Sequence, residues 1–348
     1  MAAKVLLVGG AGYVGSVLAS ELVERGFAVR ILDRLYYGDS GLRDICDRVE
    51  LVERDMRTVL PEVLEDVDAV VNMGGLLNDP TAEYNPRANH AMNTLASIKL
   101  AEQCIAHGIR RYVFASSCSI YDRGVGNDAT DTLQDESSEV EPKTVYAGSK
   151  RAAEKGLLSL ASDSFCPVIL RKGTIYGYSS RMRYDLVVNT FVKDALSRGI
   201  ITLHLGGEMW RPLLDVHDAA RAYIACLQAE ESQVKGEIFN VSYRNFRISE
   251  LALRVREVLR EMGVACDICA DYGYRPVRSY RVSSEKIMRV LGVRPVVTVE
   301  AAVKDMVGKI RAEGCADFDN PRYYNIRWMK ILEEACRVIS VTGSVFDA

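Results

Sequence analysis

The sequence predicts an α/β fold in which a doubly wound parallel sheet is accompanied by a smaller α/β domain toward the C terminus. Short apolar segments such as residues 4–8 alternate with segments of helical periodicity such as the one around Leu18 and Leu22, the pattern of parallel strands joined by helices. A glycine-rich turn directly follows the first apolar segment. Small or polar residues also stand at the ends of the later apolar segments, where parallel sheets of this kind bind ligands.

Composition and charge exclude several classes of protein. The 348 residues include 44 basic and 47 acidic side chains, a net charge of -3, so we expect no nucleic-acid or membrane partner. No apolar run approaches the roughly 18 residues that a membrane-spanning helix needs. We expect a cytoplasmic protein, because the first strand leaves no room for a signal peptide and the nine cysteines are an odd number.

No metal site is predicted. The four histidines share no metal-ligand spacing, and Cys266 and Cys269 form the sole Cys-x-x-Cys pair of the sequence. Zinc sites with this spacing use a second pair of ligands, which the sequence does not offer. We therefore interpret these two cysteines as part of a short strand.

The glycine-rich turn has the spacing of a dinucleotide-binding loop. Gly9, Gly12 and Gly15 follow the first strand and precede a helix, the context in which this spacing indicates a phosphate site. The first glycine permits the tight turn, the second lets the backbone approach a pyrophosphate, and the third allows close helix packing. The helix N-terminus then faces the anion, so Tyr13 and Val14 are also predicted at the cofactor. The fold is accordingly Rossmann-like.

The second strand, residues 28–32, ends in an acid suited to bind a ribose. Asp33 lies 18 residues beyond Gly15, near the ~20 expected for the acid that binds the ribose hydroxyls. An acid at this place disfavours the 2′-phosphate of NADP, so NAD is the predicted cofactor. Arg34, which follows directly and is also predicted at the cofactor, leaves NADP open.

The third and fourth strands add residues to the same edge of the sheet. The third, around residues 49–52, is followed by Asp55 and Met56, and the fourth, residues 69–72, runs into Met73-Gly74-Gly75. Small residues after a strand let a ligand approach the backbone closely. Met73, Gly74 and Gly75 are therefore predicted at the cofactor, and Asp55 and Met56 are predicted there with them.

The fifth strand ends in the first candidate catalytic residue. After a helix over residues 86–107, residues 111–115 form a strand that runs into Ser116 and Ser117. Carboxyl ends of parallel strands meet at one edge of the sheet. Ser117, the glycine turn and Met73-Gly74-Gly75 should therefore converge on one crevice.

The helix after the fifth strand contains a tyrosine and a lysine one turn apart. Tyr146 and Lys150 are separated by four residues and so lie on one helical face. A free tyrosine loses its proton near pH ~10, and a nearby ammonium lowers that pKa because it favours the phenolate. Tyr146 is therefore predicted as a general base for a hydroxyl group, and a solvated helix face is the alternative.

With these motifs, the sequence resembles the extended short-chain dehydrogenase/reductase family, in particular its nucleotide-sugar epimerases and dehydratases. The matching residues are Gly9-x-x-Gly12-x-x-Gly15, Asp33, Asp55, Ser116-Ser117-x-x-Ile120-Tyr121, Tyr146-x-x-x-Lys150 and Ile175-Tyr176-Gly177. The resemblance implies that Ser117 hydrogen-bonds the reacting sugar hydroxyl and that Tyr146 exchanges its proton. Lys150 would bind the nicotinamide ribose and lower the tyrosine pKa, and Asn93 matches a family asparagine near the cofactor.

The resemblance also implies where a nucleotide-diphosphate sugar binds. The segment from Arg181 to Asn189 would cover the nucleotide, with a solvated loop as the alternative. Arg211 matches an arginine that pairs with the diphosphate, and either Arg275 or Arg278 would make a second such contact through its planar guanidinium group. The predicted substrate contacts are Asn78, Ser117, Cys118, Arg181, Arg183, Asn189, Arg211, Arg275 and Arg278.

Several residues depart from the pattern of the family, among them Asp122 and Met73-Gly74-Gly75 at the mouth of the site, and two others bear on the activity. In its dehydratases an Asp-Glu pair follows the catalytic threonine and eliminates water, and its decarboxylases keep the glutamate. Here Cys118 and Ser119 stand at those positions, and we interpret the thiol as a packing group rather than an acid or base. The resemblance thus favours an NAD-dependent 4-epimerase. A nucleotide-sugar 4-dehydrogenase or ketoreductase, and a non-catalytic dinucleotide-binding regulatory protein, are the alternatives.

The resemblance implies two domains and a dimer. Residues 1–178, with 200–248 returning to them, would bind NAD, and residues 179–199 with 249–348 would form the smaller nucleotide-sugar-binding domain. A homodimer is expected, because family members commonly pair the helices at 86–107 and 146–162 into a four-helix bundle.

Asp218 is expected to cap a helix over residues 219–230.

Overall fold

The computed structural model describes residues 3–122, 132–273, 278–313 and 315–342. Its strands, in chain order, are β1 (Lys4–Val8), β2 (Ala28–Asp33), β3 (Val49–Glu53), β4 (Ala69–Asn72), β5 (Arg111–Ser117), β6 (Leu133–Gln134), β7 (Cys166–Lys172), β8 (Thr174–Tyr176), β9 (Ile200–His204), β10 (Trp210–Asp215), β11 (Ile238–Val241), β12 (Arg244–Arg247), β13 (Asp267–Asp271) and β14 (Arg281–Val282). Its α-helices are α1 (Tyr13–Glu24), α2 (Asp79–Tyr84), α3 (Pro86–His90), α4 (Ala96–Ala106), α5 (Val145–Ser159), α6 (Val187–Arg198), α7 (Val216–Gln228), α8 (Glu231–Val234), α9 (Ile248–Glu261), α10 (Glu285–Leu291), α11 (Val299–Ala312) and α12 (Asn325–Thr342).

Seven parallel strands form the large sheet, in the order β11-β7-β5-β4-β1-β2-β3. The chain builds outward from β1 to β3 and then crosses to β4 on the other side of β1. A crevice opens outside the carboxyl ends of the strands where the order reverses, at β1 and β4. The predicted α/β, Rossmann-like fold is confirmed.

Helices cover both faces of this sheet because its central strands are apolar on both sides. Leu6 and Leu7 of β1 are wholly buried in two different clusters, as the alternation of side chains along a strand requires. Leu18 of α1 and Tyr223 of α7 belong to one cluster, and Leu157 of α5 belongs to the other. The sheet is therefore doubly wound.

The helix predicted over residues 86–107 is present but not uniform. α3 continues through a π-helical turn, Ala91–Leu95, into α4, which ends at Ala106. Such a turn widens the helix locally and often lies at a functional site. Here it contains Asn93, which is wholly buried.

Two small sheets accompany the large one. β8, β10 and β12, which all lie within the predicted NAD-binding domain, form one of them, and β9 pairs in parallel with β13 to form the other. The domain boundaries stay predictions, although this pairing joins β9, predicted in the NAD-binding domain, to a strand of the smaller predicted domain.

The cap predicted for α7 is wrong by one turn. The helix begins at Val216, and Asp215 caps it by accepting the N–H of His217 at 2.8 Å. Asp218 instead accepts the N–H groups of Val296 and Val297, at 2.9 and 2.8 Å. The sequence shows two aspartates within four residues, and the tertiary contact decides which one is free to act as the cap.

Neither a membrane span nor a metal cluster is present in the described ranges. No helix there is long and apolar enough to cross a membrane. Those residues also contain no group of three or more His, Cys, Asp or Glu side chains placed to hold a metal ion. Cys269 lies in β13, as the strand interpretation requires, and Cys266 directly precedes that strand.

A charged network is buried between β5, β7 and α5. Arg171 donates two hydrogen bonds to the carboxylate of Glu154, at 2.9 and 2.7 Å, and neither side chain is more than 1% exposed. Ser116 donates to the same carboxylate at 2.5 Å, and Arg171 also donates to the hydroxyl of Tyr121. Every charge in the network is paired, which offsets the cost of removing these groups from water. The network therefore joins α5 to the ends of β5 and β7.

Replacing Arg171 with Met should lower the free energy of unfolding by about 3–5 kcal/mol, because the wholly buried Glu154 would keep only the partly exposed Arg151 as an ion-pair partner. Urea unfolding followed by circular dichroism measures this change. Arg337→Met is the matched control, since Arg337 pairs with Glu334 on the surface and should leave the midpoint unchanged. A loss no larger than that of the control would contradict the stabilising role of the network.

Candidate active site

The glycine-rich turn forms a backbone cradle at the end of β1. Gly12 is the N-cap residue of α1, so the free N–H groups of the first helical turn open toward the crevice. A Cβ added at Gly15 would clash with the carbonyl oxygen of Gly9. Gly9 has a φ of +77°, and a Cβ there would lie 3.0 Å from the Cα of Gly74. The turn therefore has the close backbone approach that a pyrophosphate site requires.

The opposite wall of the cleft follows β4. Met73, Gly74 and Gly75 line it. Gly75 has a φ of +136°, and a Cβ there would clash with the side-chain oxygen of Asn93. Asn93 accepts the N–H of Leu76 at 2.8 Å and donates to its carbonyl at 2.9 Å. Asn93 thus shapes the loop at the cofactor cleft from behind.

Asp33 stands at the rim of this cleft, at the end of β2. Its carboxylate accepts the N–H groups of Ala11, at 3.1 Å, and Leu35, at 2.9 Å. Burial raises the pKa of Asp33, and these two hydrogen bonds partly offset that rise. The acid is held beside the glycine turn, where the ribose of a dinucleotide would lie.

Arg34 and Asp55, both predicted at the cofactor, are paired with each other at 2.7 Å. Burial raises the pKa of Asp55, but hydrogen bonds from Arg57 and the charges of both arginines outweigh it and lower the pKa to about 2. Arg34 and the buried Met56 line the cleft. Asp55 therefore holds Arg34 at the cleft, and its own contact with the cofactor stays a prediction.

A second cavity adjoins the cofactor cleft at the ends of β5 and β7. Ser117 and Tyr146 both line it, together with residues of the glycine turn. The hydroxyl oxygen of Ser117 accepts the N–H of Ser119 at 3.1 Å, which fixes its rotamer at the strand end. Thr144 caps α5, so Tyr146 lies in the first turn of that helix. The structure thus brings together the predicted hydroxyl pair.

Lys150 is wholly buried next to this cavity. Its amine nitrogen has no hydrogen-bond partner among the described residues and lies 4.7 Å from the centre of the Phe114 ring. Burial lowers the pKa of Lys150 to about 8, although the charge of Glu154 opposes the shift. Buried donors almost always have partners, so the free amine fits the ribose hydroxyls of a dinucleotide. With the glycine cradle and Asp33, these residues fit NAD.

The pKa effect predicted for the tyrosine needs correction. Burial raises the pKa of Tyr146, and the negative charge of Asp79 raises it further, whereas Arg278 and Arg183 oppose the shift. In the protein alone, desolvation of the phenolate therefore outweighs the stabilisation that we expected from Lys150.

Two arginines predicted to bind substrate line the same cavity as Tyr146. Arg183 pairs with Asp185 at 2.8 Å, and Arg278 pairs with Asp79 at 3.0 Å. One terminal nitrogen of Arg183 is buried without a hydrogen-bond partner in the described part of the chain. Asn78 also lines the cavity, as predicted. Two guanidinium groups at one end of a cavity suit a diphosphate.

The remaining substrate predictions on α6 and the segment before it are corrected. Arg181 stacks its guanidinium 3.8 Å from the ring centre of Tyr37, on the loop after β2. Asn189 is wholly buried and donates to the hydroxyl of Tyr13 at 3.1 Å and to the carbonyl of Arg183 at 2.9 Å. Both side chains are engaged in packing that holds the segment against the glycine turn, so neither lines the cavity of Tyr146.

Cys118 and Arg211 also lie behind the cavity. The Cys118 thiol is wholly buried and donates to the carbonyl of Arg171 at 3.2 Å, and burial raises its pKa. Arg211 donates to the backbone carbonyls of Trp210, at 2.8 Å, and Arg278. Arg211 therefore supports the loop that positions Arg278. Arg275 lies outside the described residues.

Sequence reasoning missed several residues that line the cavity, among them Lys172, the last residue of β7, and Tyr280. Lys172 stands directly opposite Ser117 in the register of β5 and β7. The signal that could have found Lys172 is its position at the end of an apolar strand, at the edge of the sheet where Ser117 was predicted. Among the described residues that line this cavity, the charged ones are three cations, Lys172, Arg183 and Arg278, with no Asp or Glu.

Comparison with known proteins agrees with this arrangement. A family model described as the NAD dependent epimerase/dehydratase family matches residues 5–242. A UDP-N-acetyl-alpha-D-glucosaminuronate decarboxylase of Bacillus cytotoxicus is 24% identical, over 88% of this chain and 97% of that relative. A UDP-glucose 4-epimerase of Corynebacterium glutamicum is 25% identical, over 84% of this chain and 91% of that relative. The solved structure of a Thermus thermophilus UDP-glucose 4-epimerase complex with NAD has a TM-score of 0.73 and 26% identity, over 88% of this chain and 99% of that one.

Replacing Gly75 with Ala should raise the dissociation constant for NAD by about tenfold or more, because the added methyl displaces Asn93 and strains a backbone with positive φ. Calorimetric titration with NAD measures this. Gly308→Ala is the matched control, since a Cβ at Gly308 meets no atom within 4 Å. Unchanged NAD affinity in Gly75→Ala would contradict the placement of the cofactor against this wall.

Proposed function

The chain belongs to the NAD-dependent epimerase/dehydratase family, with NAD as its cofactor, and we propose that it is a nucleotide-sugar 4-epimerase. The observation that supports this most is the lining of the cavity. Ser117 and Tyr146 face it, with the buried amine of Lys150 close by, and its described lining contains no carboxylate. Such a site can oxidise and reduce a carbinol, but it has no acid to eliminate water.

In the proposed reaction, Tyr146 accepts the proton of the sugar 4-hydroxyl while the Ser117 hydroxyl turns from Ser119 and donates its hydrogen bond to the same oxygen. When NAD is bound, it would supply the acceptor for the hydride that leaves C4 and a positive ring charge that favours the phenolate of Tyr146. Lys150 orients the cofactor through its ribose hydroxyls. The 4-keto sugar turns within the cavity, and Tyr146 returns the proton once the hydride has been restored on the other face.

The residues after Ser117 argue against elimination and decarboxylation. Cys118 is buried with a raised pKa, so its thiol is neither accessible nor readily ionised. Ser119 accepts a hydrogen bond from the hydroxyl of Ser117 at 3.0 Å and offers no carboxylate. Although one relative is a decarboxylase, this chain lacks the acid and base pair of such reactions at these positions.

The substrate we propose is a nucleotide-diphosphate sugar, held at its diphosphate by Arg183 and Arg278. Both guanidinium groups line the cavity, and each is oriented by an ion pair, Arg183 with Asp185 and Arg278 with Asp79. The relatives named above act on UDP sugars according to their names, which favours UDP as the nucleotide.

We also propose a homodimer in the cytoplasm. α4 and α5 lie side by side, with Gly156 against Ile98. Leu95 and Val145, at the starts of these two helices, are 55% and 37% exposed. A second copy would cover them, and light scattering at micromolar concentration would then give twice the chain mass of 38.6 kDa.

All nine cysteines are free thiols, which suits a reducing compartment such as the cytoplasm.

Replacing Tyr146 with Phe should lower kcat for 4-epimerisation by about 10²–10⁴-fold, because the proton acceptor is lost while the ring remains. The ratio of the two 4-epimers, followed by NMR on nucleotide sugars, measures this. NAD affinity should not change. Tyr272→Phe, at a side chain that is 72% exposed, is the matched control. Full activity of Tyr146→Phe would contradict the assignment.

The same assay separates the two alternatives. Net accumulation of NADH on addition of sugar would identify a 4-dehydrogenase, and binding of NAD without turnover of any sugar would identify a non-catalytic protein.

A further inference from the structure

Lys172 stands at the reacting end of the cavity. It is the last residue of β7 and lies directly opposite Ser117 of β5, so the two Cα atoms are one strand spacing apart, about 4.8 Å. Its amine donates to the hydroxyl of Tyr223 at 2.6 Å and lies 5.1 Å from the centre of that ring. The side chain lines the cavity together with Ser117 and Tyr146. Lys172 therefore stands beside Ser117, at the end of the cavity where the proposed function places the sugar ring.

Lys172 differs from the other two cations of the cavity in its surroundings. Arg183 and Arg278 each pair with a carboxylate, whereas the one partner that the structure gives the Lys172 amine is the neutral hydroxyl of Tyr223. No acid lines the cavity in the described part of the chain. A cation that is largely removed from water and lacks a counter-ion is costly unless an anion joins it.

We propose that Lys172 binds a carboxylate attached to the sugar ring, and that the substrate is a nucleotide-diphosphate uronic acid. The inference rests on the proposed function, because it takes the 4-hydroxyl to lie between Ser117 and Tyr146. In a hexuronate, C5 adjoins the reacting C4 and bears the carboxylate. A sugar held at its 4-hydroxyl by Ser117 therefore presents that group to the neighbouring strand, where Lys172 ends β7.

The protonation of Lys172 is consistent with this role. Burial, reinforced by the positive charge of Lys150, lowers the pKa of Lys172 to about 7. A carboxylate beside the amine would favour the ammonium form and offset both effects. A neutral hexose would leave the pKa of the Lys172 amine as it is in the protein alone. The binding free energy of an acidic sugar is therefore expected to be more favourable than that of a neutral one.

The test compares acidic and neutral sugars that share one nucleotide. NAD-saturated protein is titrated calorimetrically with UDP-glucose and UDP-glucuronic acid, and with dTDP-glucose and dTDP-glucuronic acid. The wild-type protein should bind the uronate of at least one pair about tenfold or more tightly, as expected for a charged hydrogen bond. Lys172→Gln keeps a donor for Tyr223 but loses the charge, and should abolish this preference. Lys172→Arg should retain part of it.

Lys304→Gln is the matched control, because Lys304 pairs with Glu261 at the surface of α11 and should keep the full preference. A wild-type preference for the neutral sugar in every pair, or no binding of any of the four, would overturn the proposal. A uronate preference that survives in Lys172→Gln would also overturn it. So would a loss of NAD affinity in that variant with the uronate preference unchanged, because Lys172 would then belong to the cofactor.

Product analysis keeps this inference separate from the proposed function. If the uronate binds through Lys172 but no 4-epimer forms, the epimerase assignment fails and the substrate class stands. If a 4-epimer forms from the neutral hexose as efficiently as from the uronate, the assignment stands and the role of Lys172 is wrong.

Discussion

The buried ion pair between Glu154 and Arg171 holds together the three segments that form the site. Glu154 lies on the same helix as Tyr146, and Arg171 lies at the end of β7. Ser116, which donates to Glu154, directly precedes Ser117 at the end of β5. One network therefore sets the distances between the catalytic helix and the two strands that face it. Its burial makes the arrangement stiff, since moving Arg171 away from Glu154 would leave the guanidinium group buried without a counter-ion.

The division of charge around the cavity determines what it can bind. Cations face the cavity, while Asp79 and Asp185 stand behind two of them as ion-pair partners. The cavity therefore attracts an anion, and its described lining offers no carboxylate for proton transfer to carbon. In the proposed reaction Tyr146 moves the proton, and because burial raises its pKa, its ionisation would depend on positive charge brought by the bound cofactor.

The strands and the glycine turn could be predicted because they depend on neighbouring residues. β1 and β4 have the predicted bounds, and the clash at Gly15 follows from the spacing of the motif. The direction of a long side chain depends on contacts far along the chain. Arg181 and Asn189 lie in a segment that resembles a substrate-binding one, yet Arg181 stacks on the ring of Tyr37 and Asn189 donates to the hydroxyl of Tyr13. The place of Lys172 likewise depends on strand register, which sequence spacing does not show.

The most direct test of transient oxidation at C4 is to follow deuterium placed at that carbon of the nucleotide sugar. The account predicts that the 4-epimer formed by the enzyme retains the deuterium at C4, because the hydride that leaves returns from the same bound cofactor. It also predicts that no free NADH accumulates. Loss of the deuterium to solvent or to exchangeable coenzyme, or a product that has lost water, would contradict the account.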